Sequence, residues 1–269
     1  MRTTKFLFVL AAGVFTLAYV YIYQEEPISP LWSEAALSLL YTLAAGLAAL
    51  FMAMVYHQFE PDEPAGQMWR FFMWGLWTWA LAEAVWGLYP VIWEEAPLVS
   101  VADIFWAGGY VWFAVALMHQ YQLVYGADGR WRWRHVALVA GGVVATSALL
   151  TFLLVGVAGL KAEDGWLPVF LNIFYPLGDG ALALAAWRIA RLFRGGRWAR
   201  PWLALLAFVV ADAAYTSLFI TGIYSFEGNL PSLLADVLYL DAYLFLAFMI
   251  YDHLTLLRQG ISLSTVSGE

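Results

Sequence analysis

The sequence predicts an all-α fold: a polytopic membrane helical bundle of about eight transmembrane helices, organised around an internal repeat. Three observations predict it. Of the 269 residues 63% are hydrophobic and 12% charged, against about 25% charged in a soluble domain. Eight apolar stretches each approach the ~20 residues that a span requires. Three short patterns from the first half recur, in the same order, in the second. Residues 1–269 read as a single integral membrane domain.

The stretches fall at 5–24, 34–57, 68–92, 99–123, 134–159, 166–193, 200–224 and 232–255. The first is read as a retained extra helix. Tyr19, Tyr21, Tyr23 and Gln24 follow its apolar run, where a signal peptide would carry small residues for cleavage. Lys and Arg placement sets the orientation. With the N-terminus inside, Arg2, Lys5, Arg70, Arg130, Arg132, Arg134, Arg188, Arg191, Arg194, Arg197, Arg200 and Arg258 all lie on the cytoplasmic side, and only Lys161 lies outside. The expected outer loops carry Glu25, Glu26, Glu94, Glu95, Glu163, Asp164 and Glu227. Trp32, Trp93 and Trp166 would form one interfacial belt, and Trp131, Trp133 and Trp198 the other. This predicts a bacterial-type cytoplasmic membrane protein with both termini cytoplasmic.

The repeat has three matches. YTLAAGLAAL at 41–50 matches YPLGDGALAL at 175–184, AEAVW at 82–86 matches ADAAY at 211–215, and ADIFWAGGYVW at 102–112 matches ADVLYLDAYLF at 235–245. The offsets are 134, 129 and 133 residues. Such order and spacing indicate duplication of a three-helix unit. Residues 34–124 form repeat 1 (helices 2–4), 134–159 a linker helix, and 166–257 repeat 2 (helices 6–8). Repeats that begin four spans apart share one orientation, so the expected arrangement is a parallel 3-1-3 with one helix in front.

Inside these stretches lie Glu83, Asp103, Asp179, Asp212, Asp236 and Asp241. A carboxylate at the centre of a span costs ~2.5–3.5 kcal/mol on insertion scales, so such groups face the bundle interior and find partners. Glu83 aligns with Asp212 and Asp103 with Asp236, whereas Asp179 has only Ala45 as counterpart and Asp241 only Gly108. The acidic interior is therefore expected to be biased towards repeat 2. Asp179 stands between Gly178 and Gly180, after Pro176. Proline removes a helical hydrogen bond, and glycine admits a close neighbour. For Asp103 and Asp236, near helix starts, helix-dipole stabilisation and interhelical bonding to Tyr or Trp are the competing structural roles.

Several chemistries are excluded or unsupported. With no cysteine, disulfides and thiolate metal sites are excluded. His57, His119, His135 and His253 lie at helix ends without metal-ligand spacing, so no metal site is expected. No phosphate-binding loop or nucleophile elbow occurs, and no catalytic residue is assigned. A retinal Schiff base needs a buried lysine, and Lys5 and Lys161 are both peripheral. No cofactor is identified, although 15 Trp, 15 Tyr and 18 Phe leave room for a noncovalent pigment. Nucleic acid is not an expected partner. The arginines follow membrane topology, and those from Arg188 to Arg200 suit anionic lipid headgroups.

Pro97 through Tyr110 (PLVSVADIFWAGGY), Tyr175 through Leu184 and Ala235 through Tyr243 resemble a membrane region of bacterial sensory proteins. In those proteins a multi-helix module precedes a diguanylate cyclase, phosphodiesterase or histidine kinase output domain. The resemblance covers helices 2 to 8. It implies a bundle that senses a ligand or the membrane state, and it carries no catalytic residues. Because Glu269 follows the last stretch closely, the expectation is a sensor without an output domain, acting through a separate protein in the membrane or cytoplasm.

The leading expectation is a sensory or ligand-binding membrane protein. Its pocket would open to the outer half of the bilayer and be lined by Glu83, Asp179, Asp212, Asp236, Tyr175 and Tyr239, with Asp103 and Asp241 as further candidates. A proton, a cation or an amphipathic molecule would be its ligand. The alternatives are a small proton- or cation-coupled transporter, to which parallel repeats are suited, and a structural or pigment-binding subunit of a larger complex. A membrane-embedded enzyme with an acid pair ranks after the transporter, and no strong catalytic motif supports it.

Overall fold

The computed structural model describes residues 2–27, 29–93, 97, 99–125, 133–153, 165–194, 196–225 and 229–260. Among them are eight α-helices and no strand: α1 (Arg2–Glu25), α2 (Pro30–Tyr56), α3 (Pro64–Trp93), α4 (Val101–Tyr125), α5 (Trp133–Thr151), α6 (Trp166–Leu192), α7 (Arg200–Ile220) and α8 (Leu230–Arg258). A 3-10 turn, Arg197–Ala199, leads into α7. Glu94, Glu95, Arg130, Trp131, Arg132, Lys161, Glu163, Asp164 and Glu227, used above for topology, lie outside the described residues.

Several helix starts follow from local chemistry. Asn229 caps α8 by accepting the Ser232 backbone N–H at 2.8 Å, and Pro231 follows in the first turn, where its missing donor costs nothing. α4 opens on a capping box. The Ser100 backbone N–H donates to Asp103 at 2.7 Å, and the Ala102 N–H donates to the Ser100 hydroxyl at 3.1 Å. α6 runs as one helix through Pro176.

Six helices are long and apolar enough to cross a membrane: α1, α2, α4, α6, α7 with its leading turn, and α8. The other two differ for separate reasons. α3 has the length, but six tryptophans, with Gln67, Arg70 and Glu83, lower its apolarity. In α5 the apolar part described is Leu138–Thr151, shorter than a span. The fold is a helical membrane bundle, as the composition predicts.

Packing orders the helices into a ring. α2, α3 and α4 pack in sequence, as do α6, α7 and α8, and the contacts of α4 with α6 and of α8 with α2 close it. α1 lies outside on α2 and α8, and α5 lies outside on α6 and α4. The two three-helix repeats are thus kept, and each gains one flanking helix in an equivalent place. α3 and α7 face one another across the ring through large side chains. Trp79 and its counterpart Phe208 have ring centroids 4.9 Å apart, and Phe72 meets Trp202 at 5.5 Å. All four are essentially inaccessible. Lipid tails are as apolar as leucine, so such close van der Waals packing, together with polar contacts, holds a membrane bundle together. Glycine matters where these rings touch backbone. A Cβ on Gly109 would lie 2.2 Å from Trp79, and one on Gly178 2.9 Å from Tyr110.

Candidate functional site

Towards the end of the ring where α4 and α8 begin, the interior changes from aromatic to acid and tyrosine. Tyr110 of α4 donates its hydroxyl to Asp179 Oδ1 of α6 at 2.7 Å and faces Asp212 Oδ2 of α7 at 3.2 Å. The Asp212 carboxyl lies against that of Asp179. Asp179 is fully buried, and its Oδ2 has no hydrogen-bond partner among the described residues. Gly178 makes the arrangement possible, because the Tyr110 ring occupies the space a side chain would need there. Gly180, the other neighbour of Asp179, meets nothing within 4 Å.

Across the ring, Glu83 of α3 accepts two hydroxyls of α8 on Oε1, from Tyr239 at 2.8 Å and from Tyr243 at 2.9 Å. The two tyrosine oxygens are 3.1 Å apart. The Trp106 indole sits near Glu83, yet its buried N–H lacks a hydrogen-bond acceptor of good geometry. Glu83 and Asp212 are close enough for their charges to repel, so the two groups form one continuous polar core.

The repeat explains this pairing. Tyr110 corresponds to Tyr243, and Asp212 to Glu83. Each unit's tyrosine therefore bonds the acid of the other unit. One to two turns nearer the helix starts the same exchange recurs. Tyr175 of α6 donates to Asp103 Oδ1 of α4 at 2.6 Å, and its counterpart Tyr41 of α2 donates to the Asp236 backbone carbonyl of α8 at 3.0 Å. The Asp236 carboxylate itself accepts Tyr224 at 3.0 Å, and Tyr19 of α1 adjoins Tyr41 at 3.2 Å.

The structure brings together Glu83, Asp179, Asp212 and Tyr239, with Asp103, Tyr175 and Asp236 in the layer beside them. It does not bring Asp241 to them. That carboxylate turns to α1 and accepts the Thr16 hydroxyl at 2.6 Å. Five residues correspond to about 140° around a helix, which carries Asp241 off the face of Asp236. Both oxygens of Asp103 are engaged, one closing the α4 capping box and the other taking Tyr175. The candidate set drawn from sequence omitted Tyr110, Tyr243 and Thr16. The first two were within reach, because the repeat aligns them. Thr16 belongs to a helix outside the pattern and gives no sequence signal.

A second buried polar group lies at the arginine-bearing end. Asp252 of α8 accepts Arg200 and lies 3.7 Å from Arg197. His253 is buried between Trp69 at 4.8 Å and Trp198 at 5.1 Å, while His119 stacks on Phe71 at 5.1 Å. No group of metal-ligating side chains occurs among the described residues.

The chain matches no protein-family model, no curated protein and no solved structure.

Proposed function

We propose that this is a sensory or ligand-binding membrane protein that acts through a separate partner, with a proton or small cation as its ligand, taken up between Asp179 and Asp212. One observation carries the reading. Tyr110 has a single hydroxyl proton and faces two carboxyl groups, while the buried Oδ2 of Asp179 accepts nothing from the described residues. Carboxylates offer only acceptors, so this group has an acceptor surplus that one proton or one cation would satisfy. A bulky ligand fits less well, because aromatic side chains fill the space below. The likeness of the repeat motifs to bacterial sensory membrane regions supports sensing. The positive-inside reading places both termini in the cytoplasm of a bacterial-type inner membrane and the acid core in the outer half of the bilayer.

Infrared difference spectroscopy between two buffer pH values tests uptake directly. A protonated-carboxyl C=O band should appear in the wild type and vanish in both Asp179→Asn and Asp212→Asn, with the fold kept, since the Asn amide can donate to the remaining acid. A wild-type spectrum without that band, together with no response to Na⁺ or K⁺, would overturn the reading.

The exchange of hydroxyls between the two units favours a second reading, a small proton- or cation-coupled transporter. Related halves that meet at a shared polar site are suited to rocking about it. Uptake of Na⁺ or K⁺ into proteoliposomes under a pH gradient, lost in Asp212→Asn, distinguishes it from a sensor.

A further inference from the structure

At the arginine-bearing end, α4 and α6 part to leave a cavity of about 460 Å³, lined by Tyr121, Tyr125, Trp187, Arg188, Arg191 and Leu192. This lies within the roughly 300–1,000 Å³ of small-molecule sites. Its chemistry is one-sided. Two guanidinium groups line it, and no carboxylate among the described residues does. Neither arginine has a carboxylate partner among the described residues, where the ion pairs are those of Asp252. The Arg191 guanidinium is held over the Trp187 ring, 4.8 Å from its centroid, and the Tyr121 and Tyr125 rings stand 4.4 Å apart on the facing wall.

The pseudo-symmetric position carries a different lining. Between α8 and α2, Leu254 and Ala53 stand where Tyr121 and Trp187 stand here. There Leu254 is buried, and Phe51 packs on Tyr251 at 5.2 Å. Arginine in the last turn of α6 also suits the helix dipole. That accounts for charge at a helix end, but not for a hollow facing it from α4.

We propose that this crevice binds an anion that carries a phosphate group attached to an apolar or flat body. Planar guanidinium groups bind phosphate oxygens in pairs, and the aromatic walls with Leu192 would take the body. A phospholipid headgroup and a soluble phosphate ester share this chemistry, and the site stands apart from the acid core.

Native mass spectrometry of the full chain, released from equimolar phosphatidylglycerol and phosphatidylcholine, tests the lipid source. Calorimetry with phenyl phosphate tests the soluble one. The expected result is a retained phosphatidylglycerol, favoured about tenfold over phosphatidylcholine, a gap of ~1.4 kcal/mol. That preference should be lost in Arg188→Gln/Arg191→Gln and kept in Arg194→Gln/Arg258→Gln, whose side chains lie outside the cavity. Phenyl phosphate binding lost in the same double variant, without lipid preference, keeps the site and assigns it to a soluble ester. Should the double variant not fold, Arg188→Gln and Arg191→Gln singly give the same reading at smaller amplitude. Equal retention of both lipids with no phenyl phosphate binding, or equal behaviour of the two double variants, overturns the proposal.

Discussion

The two acid sites of the ring occupy equivalent places and hold opposite contents. On one side, among the described residues, Tyr110 alone donates to Asp179 and Asp212, two carboxyl groups to one hydroxyl. On the other Tyr239 and Tyr243 both serve Glu83, two hydroxyls to one carboxyl. The difference comes from two substitutions within the repeat: Asp179 stands where repeat 1 has Ala45, and Tyr239 where it has Trp106. A duplicated scaffold has thereby made one site short of donors and the other saturated with them. The saturated site resembles the interhelical polar bonds that hold membrane bundles together, and the deficient one is the site proposed above for a proton or cation.

Placing the missing acid in repeat 1 should break this contrast most severely. Ala45→Asp adds a carboxyl to a region whose hydroxyls are already committed to Glu83. A loss of ~2.5–3.5 kcal/mol is expected, seen as a large fall in yield and in melting temperature in detergent. Wild-type stability in that variant would mean that the Glu83 side has spare capacity and that the two sites do not differ as described. Next come the tyrosines. Tyr110→Phe removes the one hydroxyl from two buried acids and should cost about 1–3 kcal/mol, whereas Tyr243→Phe leaves Tyr239 on Glu83 and should cost about 0.5–1.5 kcal/mol. Equal costs in chemical unfolding would show that the number of hydroxyls is immaterial. The smallest effect belongs to Thr16→Val, which removes the partner of the half-buried Asp241. About 0.5–1 kcal/mol is expected, read as easier proteolysis of α1 with the ring intact.

Much of this architecture was legible in the sequence, for identifiable reasons. The eight helices fall on the eight apolar stretches, six of them long and apolar enough to span a membrane, and the repeat on three motifs at near-constant offset. The bias of the acids towards repeat 2 was visible in the pairing of Asp179 with Ala45. What an alignment of repeats cannot supply is adjacency. It says that Tyr110 and Tyr243 are counterparts, but not that each crosses to the other unit's acid, because that depends on how the ring closes. The equivalence of α1 and α5 was hidden for a related reason. Both flank the ring with mostly lipid-facing surface, where any apolar side chain serves, so no shared pattern marks them. For Asp241 the five-residue offset from Asp236 already points it to another face, but its partner Thr16 carries no sequence signal.

The exchange of tyrosines between units also bears on how the protein is made. Glu83 precedes Tyr239 by 156 residues and Tyr243 by 160. Since the chain is synthesised from its N-terminus, the first four helices enter the bilayer carrying an acid whose donors do not yet exist. The early half cannot settle by itself. Arrival of α8 both closes the ring and supplies those donors, so α8 is the helix that releases the first half from waiting.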